Sequence, residues 1–223
     1  MTWQTIGDGL SNEPFAILDE GISLAKYCKI DLSITNKDLN GIAISDPQEC
    51  QSYIDKVLKA NRGTVAYGGY LERRNLYKLS DRFYDGETRN IHLGIDFWCK
   101  AGTKVRVPMD GYVHSFANNA DIGNYGPTII LRHKINQTVR YTLYGHLSLS
   151  SLVGLYENKI FKKGEVLGFL GTPDINVNYA PHLHFQLIND MGDYSGDYPG
   201  VCHLKDLDFY QKNCPDPNLL LKI

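Results

Sequence analysis

Apolar residues recur along the chain with two different periods, and the change between them falls near residue 65. Residues 45–63 follow the helical period of about 3.6 residues. Ser45 or Asp46 is placed to cap the start of this helix, and Gly63 is placed to end it. The apolar stripe consists of Cys50, Tyr53, Ile54, Val57 and Leu58. The pattern predicts an N-terminal extension, residues 1–65, that contains at least one helix and packs against the rest of the chain.

From residue 66 onward, short apolar runs are separated by glycine and proline. The runs that predict strands are residues 103–116, 127–134, 137–147, 164–171 and 182–188. Short, closely spaced strands predict a mainly β domain over residues 66–223, folded as an antiparallel two-sheet sandwich or barrel. Residues 102–113 and 163–171 resemble each other, which indicates a duplicated hairpin unit. The proline-containing stretch 214–223 predicts a tail on the surface of this domain.

The bulk composition argues against several classes of protein. A formal net charge of −2 at pH 7 argues against a surface that binds nucleic acid. No stretch approaches the roughly 20 apolar residues that span a bilayer, so we expect no membrane contact. The first residues show neither the basic nor the apolar region of a secretory signal, and the five cysteines are odd in number and sparsely spaced. These features predict a cytoplasmic protein with reduced thiols and leave its oligomeric state open.

Two short motifs carry the residue types that bind metal ions. They are HLGID, with His92 and Asp96, and HLH, with His182 and His184. Because side chains alternate across a strand, the two residues of each motif point to one face, and Gly94 leaves open space between His92 and Asp96. Catalytic zinc sites take three such protein ligands and leave a fourth position for water. The motifs therefore predict two strand-borne halves of one polar site.

A third element adds His146, in the motif YGH at the end of a predicted strand. Gly145 before it allows the backbone to turn or to approach another group closely. Together with the two motifs, His146 makes five polar residues, enough for three metal ligands and two groups for proton transfer or charge stabilisation. A hydrolase needs that division of labour. We interpret the remaining candidates as structural or surface residues: His114, His133 and His203, with Cys99 as a buried thiol.

The order of the motifs resembles that of a known family. The stretches HLGID, GTKVRVPMDGYV, NYGPTIIL, LYGHLS, KKGEVLGFLG and PHLHFQ are similar to the lysostaphin-like (LytM-type) zinc metallopeptidases, over roughly residues 90–190. The resemblance implies a core of two packed β sheets, described as a duplicated hybrid motif. It also implies an endopeptidase that cuts peptide cross-bridges of bacterial cell walls. The flanking stretches YGGYLERRNLY and PGVCHLKDLDFYQKNCPDPNLL resemble a subgroup found beside aminotransferase-like and kinase-like domains.

The resemblance also implies a role for each site residue. His92, Asp96 and His184 match the family's Zn²⁺ ligands. His182 and His146 match its catalytic histidines that do not bind the metal. We therefore expect zinc-dependent hydrolysis of a peptide or of peptidoglycan by a metal-activated water, with His182 as the base and His146 as the stabiliser of the oxyanion. The sequence itself leaves those two roles interchangeable. An enzyme that cuts cell walls has to reach them, and a non-classical export route, an intracellular substrate or a trimmed sequence would each reconcile this with the missing secretory signal.

Two departures from the family concern the surroundings of the site. Gln186 follows HLHF, where many wall-cutting members have an acid. Residues 176–185 read NVNYAPHLHF, where the subgroup often has a glycine-rich turn. Neither change removes a predicted ligand. Both put the substrate of lysostaphin in doubt for this chain, because groups that contact metal ligands tune a metal site.

Two other functions compete with a peptidase. A phosphoryl carrier of related architecture uses two facing histidines, but the Asp96 carboxylate would repel the phosphoryl group. The stronger rival is a zinc-binding module that recognises or regulates a partner without cutting it. Bound zinc without cleavage of any peptide would favour that module.

Overall fold

The computed structural model of the chain describes residue 3 and residues 13–74, 89–121, 123–135 and 137–223. The helices are α1 (Pro47–Asn61), α2 (Leu207–Asn213) and α3 (Asn218–Leu221), and short 3-10 turns lie at Leu24–Lys26, Lys37–Leu39, Leu149–Leu152 and Leu204–Asp206. The strands are β1 (Tyr27–Lys29), β2 (Val65–Gly68), β3 (Ile91–His92), β4 (Ile95–Trp98), β5 (Lys104–Arg106), β6 (Gly111–Asn119), β7 (Gly126–Ile135), β8 (Thr138–Gly145), β9 (Ile160–Phe161), β10 (Val166–Phe169), β11 (His182–Ile188) and β12 (Val201–Cys202). Among the described helices, none is long and apolar enough to cross a membrane.

The mainly β prediction is confirmed. Eight strands form one sheet in the order β1-β2-β4-β11-β8-β7-β6-β9, and two further pairs, β10-β5 and β12-β3, form small sheets. The strands pair in antiparallel fashion except β1 and β2, which are parallel. The two segments that resemble each other in sequence meet in space, because β5 comes from the first and β10 from the second.

The predicted helix is α1, and its start is capped as expected. The side chain of Asp46 accepts hydrogen bonds from the backbone N–H groups of Gln48 and Glu49. Its end differs by one residue: Arg62, with φ of 51°, takes the left-handed position, and Gly63 follows. Gly63 is small for another reason, because a Cβ there would lie 2.7 Å from Sγ of Cys28. A glycine at position 63 is therefore explained by close packing against Cys28 as well as by the end of the helix.

Both ends of the described chain pack into the domain. Leu18 is fully buried in the main core and forms a bridge with Val105 of β5. The backbone N–H of Phe15 donates to the carbonyl of Leu221, 2.9 Å away. The prediction of a surface tail over 214–223 is wrong, since α3 places Leu220 and Leu221 in the core. Burial of the apolar run 219–221 places this segment in the domain, despite the prolines before it. The boundary at residue 65 stays a prediction.

Candidate metal centre and the adjacent histidine pair

The central strand β11 brings the site together. All seven of its residues are buried, with Leu183, Phe185 and Leu187 in the main core. The alternation predicted for HLH then turns His182 and His184 to the other face. Across the sheet, His184 pairs with Asp96 of β4 on one side and with Gly145 of β8 on the other. This register places Asp96 and His184 on adjacent strands and His146 directly after the end of the third, β8.

The motif HLGID is not one continuous strand, contrary to the prediction. It is divided into β3, which pairs with β12, and β4, which belongs to the large sheet. The break falls at Leu93 and Gly94. A Cβ on Gly94 would lie 2.8 Å from the imidazole of His184 and 2.6 Å from the carbonyl oxygen of Phe185. The space left by the glycine is therefore filled by the ring of His184, which reaches the His92 side of the site.

His92, Asp96 and His184 converge on one point and are all buried. Nε2 of His92 lies 2.9 Å from Nδ1 of His184 and 3.2 Å from Oδ1 of Asp96. Nδ1 of His184 lies 3.1 Å from the same Asp96 oxygen. The other nitrogen of His92, Nδ1, lies 2.9 Å from the carbonyl oxygen of Gly69. A carbonyl only accepts, so Nδ1 of His92 carries the proton and Nε2 holds a lone pair.

The tautomer of His184 follows from Gln186. The amide nitrogen of Gln186 donates to the carbonyl of Pro199, 3.1 Å away, and to Sγ of Cys214, 3.3 Å away. Its Oε1 therefore faces Nε2 of His184, 2.9 Å away, and accepts that proton. Nδ1 of His184 is left with a lone pair. Gln186, where many family members have an acid, thus accepts a hydrogen bond from a candidate ligand and orients its ring, as an acid in this position would.

Three acceptor atoms consequently face one another at about hydrogen-bond distance with no proton assigned between them. Such an arrangement is repulsive unless a cation lies among the three. Two imidazole nitrogens and a carboxylate oxygen are a ligand set of catalytic zinc sites, which leave one position open. A tetrahedral zinc ion bound at about 2.0–2.1 Å requires about 3.3 Å between ligand atoms, close to the separations here. These residues fit a zinc ion.

The second oxygen of Asp96 is held by a residue that sequence reasoning missed. Nη1 of Arg74 donates to Oδ2 of Asp96 at 2.5 Å, and Nε of Arg74 donates to Glu72. Glu72 is fixed in turn, since its Oε1 accepts the backbone N–H of Leu32 at 2.9 Å. Burial alone would raise the pKa of Asp96, but the charges of His92 and Arg74 hold it well below its usual range.

Of these two groups, only Arg74 is charged at every ordinary pH. Burial, followed by the charge of Arg74, lowers the pKa of His92 to about 4. His92 is therefore neutral at pH 7, as a metal ligand has to be, and Arg74 alone keeps the Asp96 carboxylate ionised.

His146 and His182 form a pair beside the three candidate ligands. Their ring centroids lie 4.1 Å apart, and Nε2 of His182 lies 4.0 Å from Oδ1 of Asp96. His146 has the left-handed φ of 64°, and a Cβ on Gly145 would lie 2.6 Å from the ring of Tyr125, so the close approach expected of that glycine is present. Burial lowers the pKa of both histidines, that of His146 far below its usual range.

All five predicted site residues line one pocket. His114, His133 and His203 lie outside its lining, and Cys99 is half-buried against the main core. Sequence reasoning missed Arg74, Tyr125 and Asn176. Arg74 and Tyr125 fall inside stretches that carry the family resemblance, and Asn176 falls inside the stretch that departs from it. None of these residue types carried a metal or acid–base signal of its own. The helix α1 also reaches the pocket, through Cys50.

Two curated proteins are similar to part of this chain in sequence. Over 99 residues the chain is 35% identical to the DD-carboxypeptidase/endopeptidase Mpg of Neisseria meningitidis serogroup B, a match that covers 44% of this chain and 20% of that protein. Over 116 residues it is 31% identical to lysostaphin of Staphylococcus staphylolyticus, covering 51% of this chain and 22% of that protein. The chain thus spans about a fifth of the length of the curated relatives it matches.

A solved structure and a family model also match parts of the chain. The structure of the antimicrobial peptidase lysostaphin from Staphylococcus simulans is similar with 27% identity and a TM-score of 0.37, covering 54% of this chain and 44% of that chain. The family model described as Peptidase family M23 matches residues 90–195. The narrower resemblance to modules beside aminotransferase-like and kinase-like domains stays a prediction. Residues 90–195 of this chain are a domain of peptidase family M23.

Proposed function

We propose that this protein is a zinc-dependent endopeptidase that hydrolyses a peptide bond in peptidoglycan cross-bridges or in a related peptide. The observation that carries the proposal is the convergence of three acceptor atoms, from His92, Asp96 and His184, beside two histidines that are not part of that group. A metal site alone needs only the three ligands. The additional pair supplies the proton transfer that peptide hydrolysis requires.

His92, Asp96 and His184 would hold the ion. When bound, zinc supplies Lewis acidity, which polarises the scissile carbonyl and makes a water molecule nucleophilic near neutral pH. The chain's part is to orient both imidazoles with a lone pair towards the ion and to keep Asp96 ionised. The hydrogen bonds to Gly69 and Gln186 do the first, and the Arg74 ion pair does the second.

His182 is the proposed base. Its Nε2 lies on the side of the pocket that carries the ligand oxygen of Asp96, and its Nδ1 donates to the carbonyl of Ala180, 2.7 Å away. The ring is therefore oriented with Nε2 available to take a proton from the attacking water. His146, the other member of the pair, is proposed to stabilise developing charge or to transfer the proton to the leaving amine.

The substrate is proposed from the relatives and from the pocket walls. Mpg is named for carboxypeptidase and endopeptidase activity, and lysostaphin is described as an antimicrobial peptidase. Trp98, Tyr125 and Tyr179 line the pocket, and their rings offer flat surfaces against which a peptide backbone can pack.

The test combines metal analysis with digestion. The full chain is purified, its zinc content measured, and it is incubated with purified peptidoglycan and with glycine-containing peptides, with and without a chelator. We expect one zinc ion per chain and new amino termini, identified by mass spectrometry, that disappear with the chelator. Bound zinc with no cleavage would overturn the peptidase and favour the binding module. Cleavage that resists the chelator would overturn the role of the metal.

A further inference from the structure

The loop before β11 contains a polar side chain with an unusual environment. Asn176 is completely buried, although it belongs to a surface-crossing loop in which Val177 and Asn178 both have left-handed φ values, 44° and 67°. A β-branched residue in this conformation is strained by about 1–2 kcal/mol. The loop thus keeps a strained backbone conformation and buries the Asn176 amide. We infer that the buried amide has a functional role.

The orientation of that amide is set by its nitrogen. Nδ2 of Asn176 lies 3.3 Å from the carbonyl oxygen of Ala180 and 3.5 Å from that of Tyr179. Because both carbonyls only accept hydrogen bonds, the NH₂ group has to face them. Oδ1 of Asn176 is consequently turned away from these two carbonyls.

Oδ1 of Asn176 and Nδ1 of His146 complement each other. Each atom is buried, and neither has a hydrogen-bond partner in the part of the chain that the structure describes. The Asn176 amide is also among the groups that act on the pKa of the His146 ring, so the two side chains are neighbours. An amide oxygen cannot donate, so a bond between the two atoms requires the proton to be on Nδ1 of His146.

The Asn176 amide and His182 also share a hydrogen-bond acceptor. The carbonyl of Ala180, which accepts from Asn176, accepts from Nδ1 of His182 as well. His182 is thereby held with Nδ1–H towards the protein and Nε2 towards the pocket. A hydrogen bond from Nδ1–H of His146 to Asn176 would hold His146 in the same way, with the two lone pairs on neighbouring rings.

We propose that Asn176 is a positioning residue for the reaction: it fixes His146 in the Nδ1–H tautomer, so that His146 meets the substrate as a proton acceptor. This proposal rests on the proposed peptidase function and refines it. A neutral His146 in this tautomer has no N–H to offer an oxyanion, so it assists only after it has received a proton.

The hydrolytic step then balances as follows. The oxygen of water forms a bond to the carbonyl carbon, and the bond between this carbon and the amide nitrogen breaks. One proton of the water passes to Nε2 of a pair histidine and from there to the leaving nitrogen. The second proton leaves with the new carboxyl group and is released to solvent.

The experiment uses the full zinc-loaded chain and long-range ¹H–¹⁵N spectra of its imidazoles, which distinguish the two neutral tautomers. The His146 signals are assigned by comparison with His146→Gln. We expect Nδ1–H at His146 in the native chain and in Asn176→Asp, which keeps the acceptor, and a loss of this preference in Asn176→Ala. Turnover should fall about 10- to 100-fold in Asn176→Ala, mainly in kcat, with zinc content unchanged.

The matched control is Asn178→Gly, which removes an exposed amide from the same loop and suits its left-handed backbone. It should change neither the tautomer nor kcat. An Nε2–H tautomer at His146 in the native chain would overturn the proposal. If Asn176→Ala does not fold, loss of the Nδ1–H tautomer in the conservative Asn176→Asp would overturn it equally. A native chain with the expected tautomer but no peptidase activity would refute the proposed function and leave the orientation by Asn176 standing.

Discussion

Two groups of buried polar side chains are built in opposite ways. In the first, the candidate metal centre, three acceptor atoms of His92, Asp96 and His184 face one another where β3 meets the large sheet. In the second, around His133 of β7, Nδ1 donates to the carbonyl of Asp110 at 2.8 Å, and Nε2 accepts from the hydroxyl of Thr142 at 2.7 Å. Both groups contain fully buried imidazole. Only the second satisfies it with the chain's own atoms.

The difference separates structural from functional burial. A buried polar group that serves the fold is paired with complementary donors and acceptors, because an unpaired one costs free energy. A group that serves a ligand keeps its acceptors pointed at the place where the ligand goes. This distinction generates four predictions, which become smaller in expected effect from the first to the last.

The largest effect is expected when one imidazole is removed from each group. His184→Ala should abolish zinc binding and lower peptidase turnover on the order of 10³-fold or more, because a bound metal supplies several kcal/mol to such a reaction. His133→Ala should keep the zinc and instead lower the free energy of unfolding by about 2–4 kcal/mol, through lost hydrogen bonds and an internal cavity. Metal analysis and urea unfolding of both variants make the comparison. Loss of zinc in His133→Ala would contradict the distinction between the two groups.

The next effect divides the site itself. His146→Ala and His182→Ala should each retain one zinc ion per chain while turnover falls on the order of 10²-fold or more, because proton transfer is lost and the ligands remain. Zinc content is measured on the same samples as peptide cleavage. If His146→Ala lost its metal, the separation of ligands from proton-transfer groups would be wrong.

The sequence alone predicted the members of both groups unequally well. The spacing of HLGID and HLH was enough to bring the ligands to one site, because alternation along a strand is a local property. The break of HLGID into β3 and β4 depends on pairing with β12, which lies more than a hundred residues away in the chain. Nothing local shows that the ring of His184 fills the space at Gly94.

The supporting residues were the least predictable. Arg74 is one of two adjacent arginines, and only the tertiary fold distinguishes the buried one, on Asp96, from its exposed neighbour Arg73. Asn176 looks like any loop asparagine until its amide is seen to be buried. His133 lies outside the pocket lining. Its place at the end of a strand-like run gave no clue to its hydrogen bonds.

A third prediction concerns the ion pair that supports the metal centre. Arg74→Met should weaken zinc binding about 10- to 100-fold, because Asp96 is no longer held with a single oxygen facing the two histidines. Arg74→Lys should restore part of the affinity. Competition with a chromophoric chelator gives the affinity, and the visible spectrum of the Co²⁺ form reports whether Asp96 now binds through both oxygens.

The control for this prediction is Arg73→Met, which removes the same charge from the exposed neighbour and should leave the affinity unchanged. Undiminished zinc affinity in Arg74→Met would mean that Arg74 serves only to neutralise the carboxylate of the metal-free chain. In that case the Arg74–Asp96 ion pair would be a structural pairing, like the hydrogen bonds of the His133 group, and would not support metal binding.

The smallest effect is a pH dependence of stability at His133. Burial lowers the pKa of His133 to about 4, below the value of about 6.5 in an unfolded chain. The unfolded state therefore binds the proton first, so this contribution to stability is fully present above pH 6.5 and is lost as the pH falls towards 4. Between pH 7 and 5.5 the loss should be about 1 kcal/mol. Urea unfolding of the native chain and of His133→Gln at both pH values isolates it: the glutamine variant should lose less stability over this interval by that amount. Equal losses would mean that His133 is less completely enclosed by its partners than the ligand histidines are.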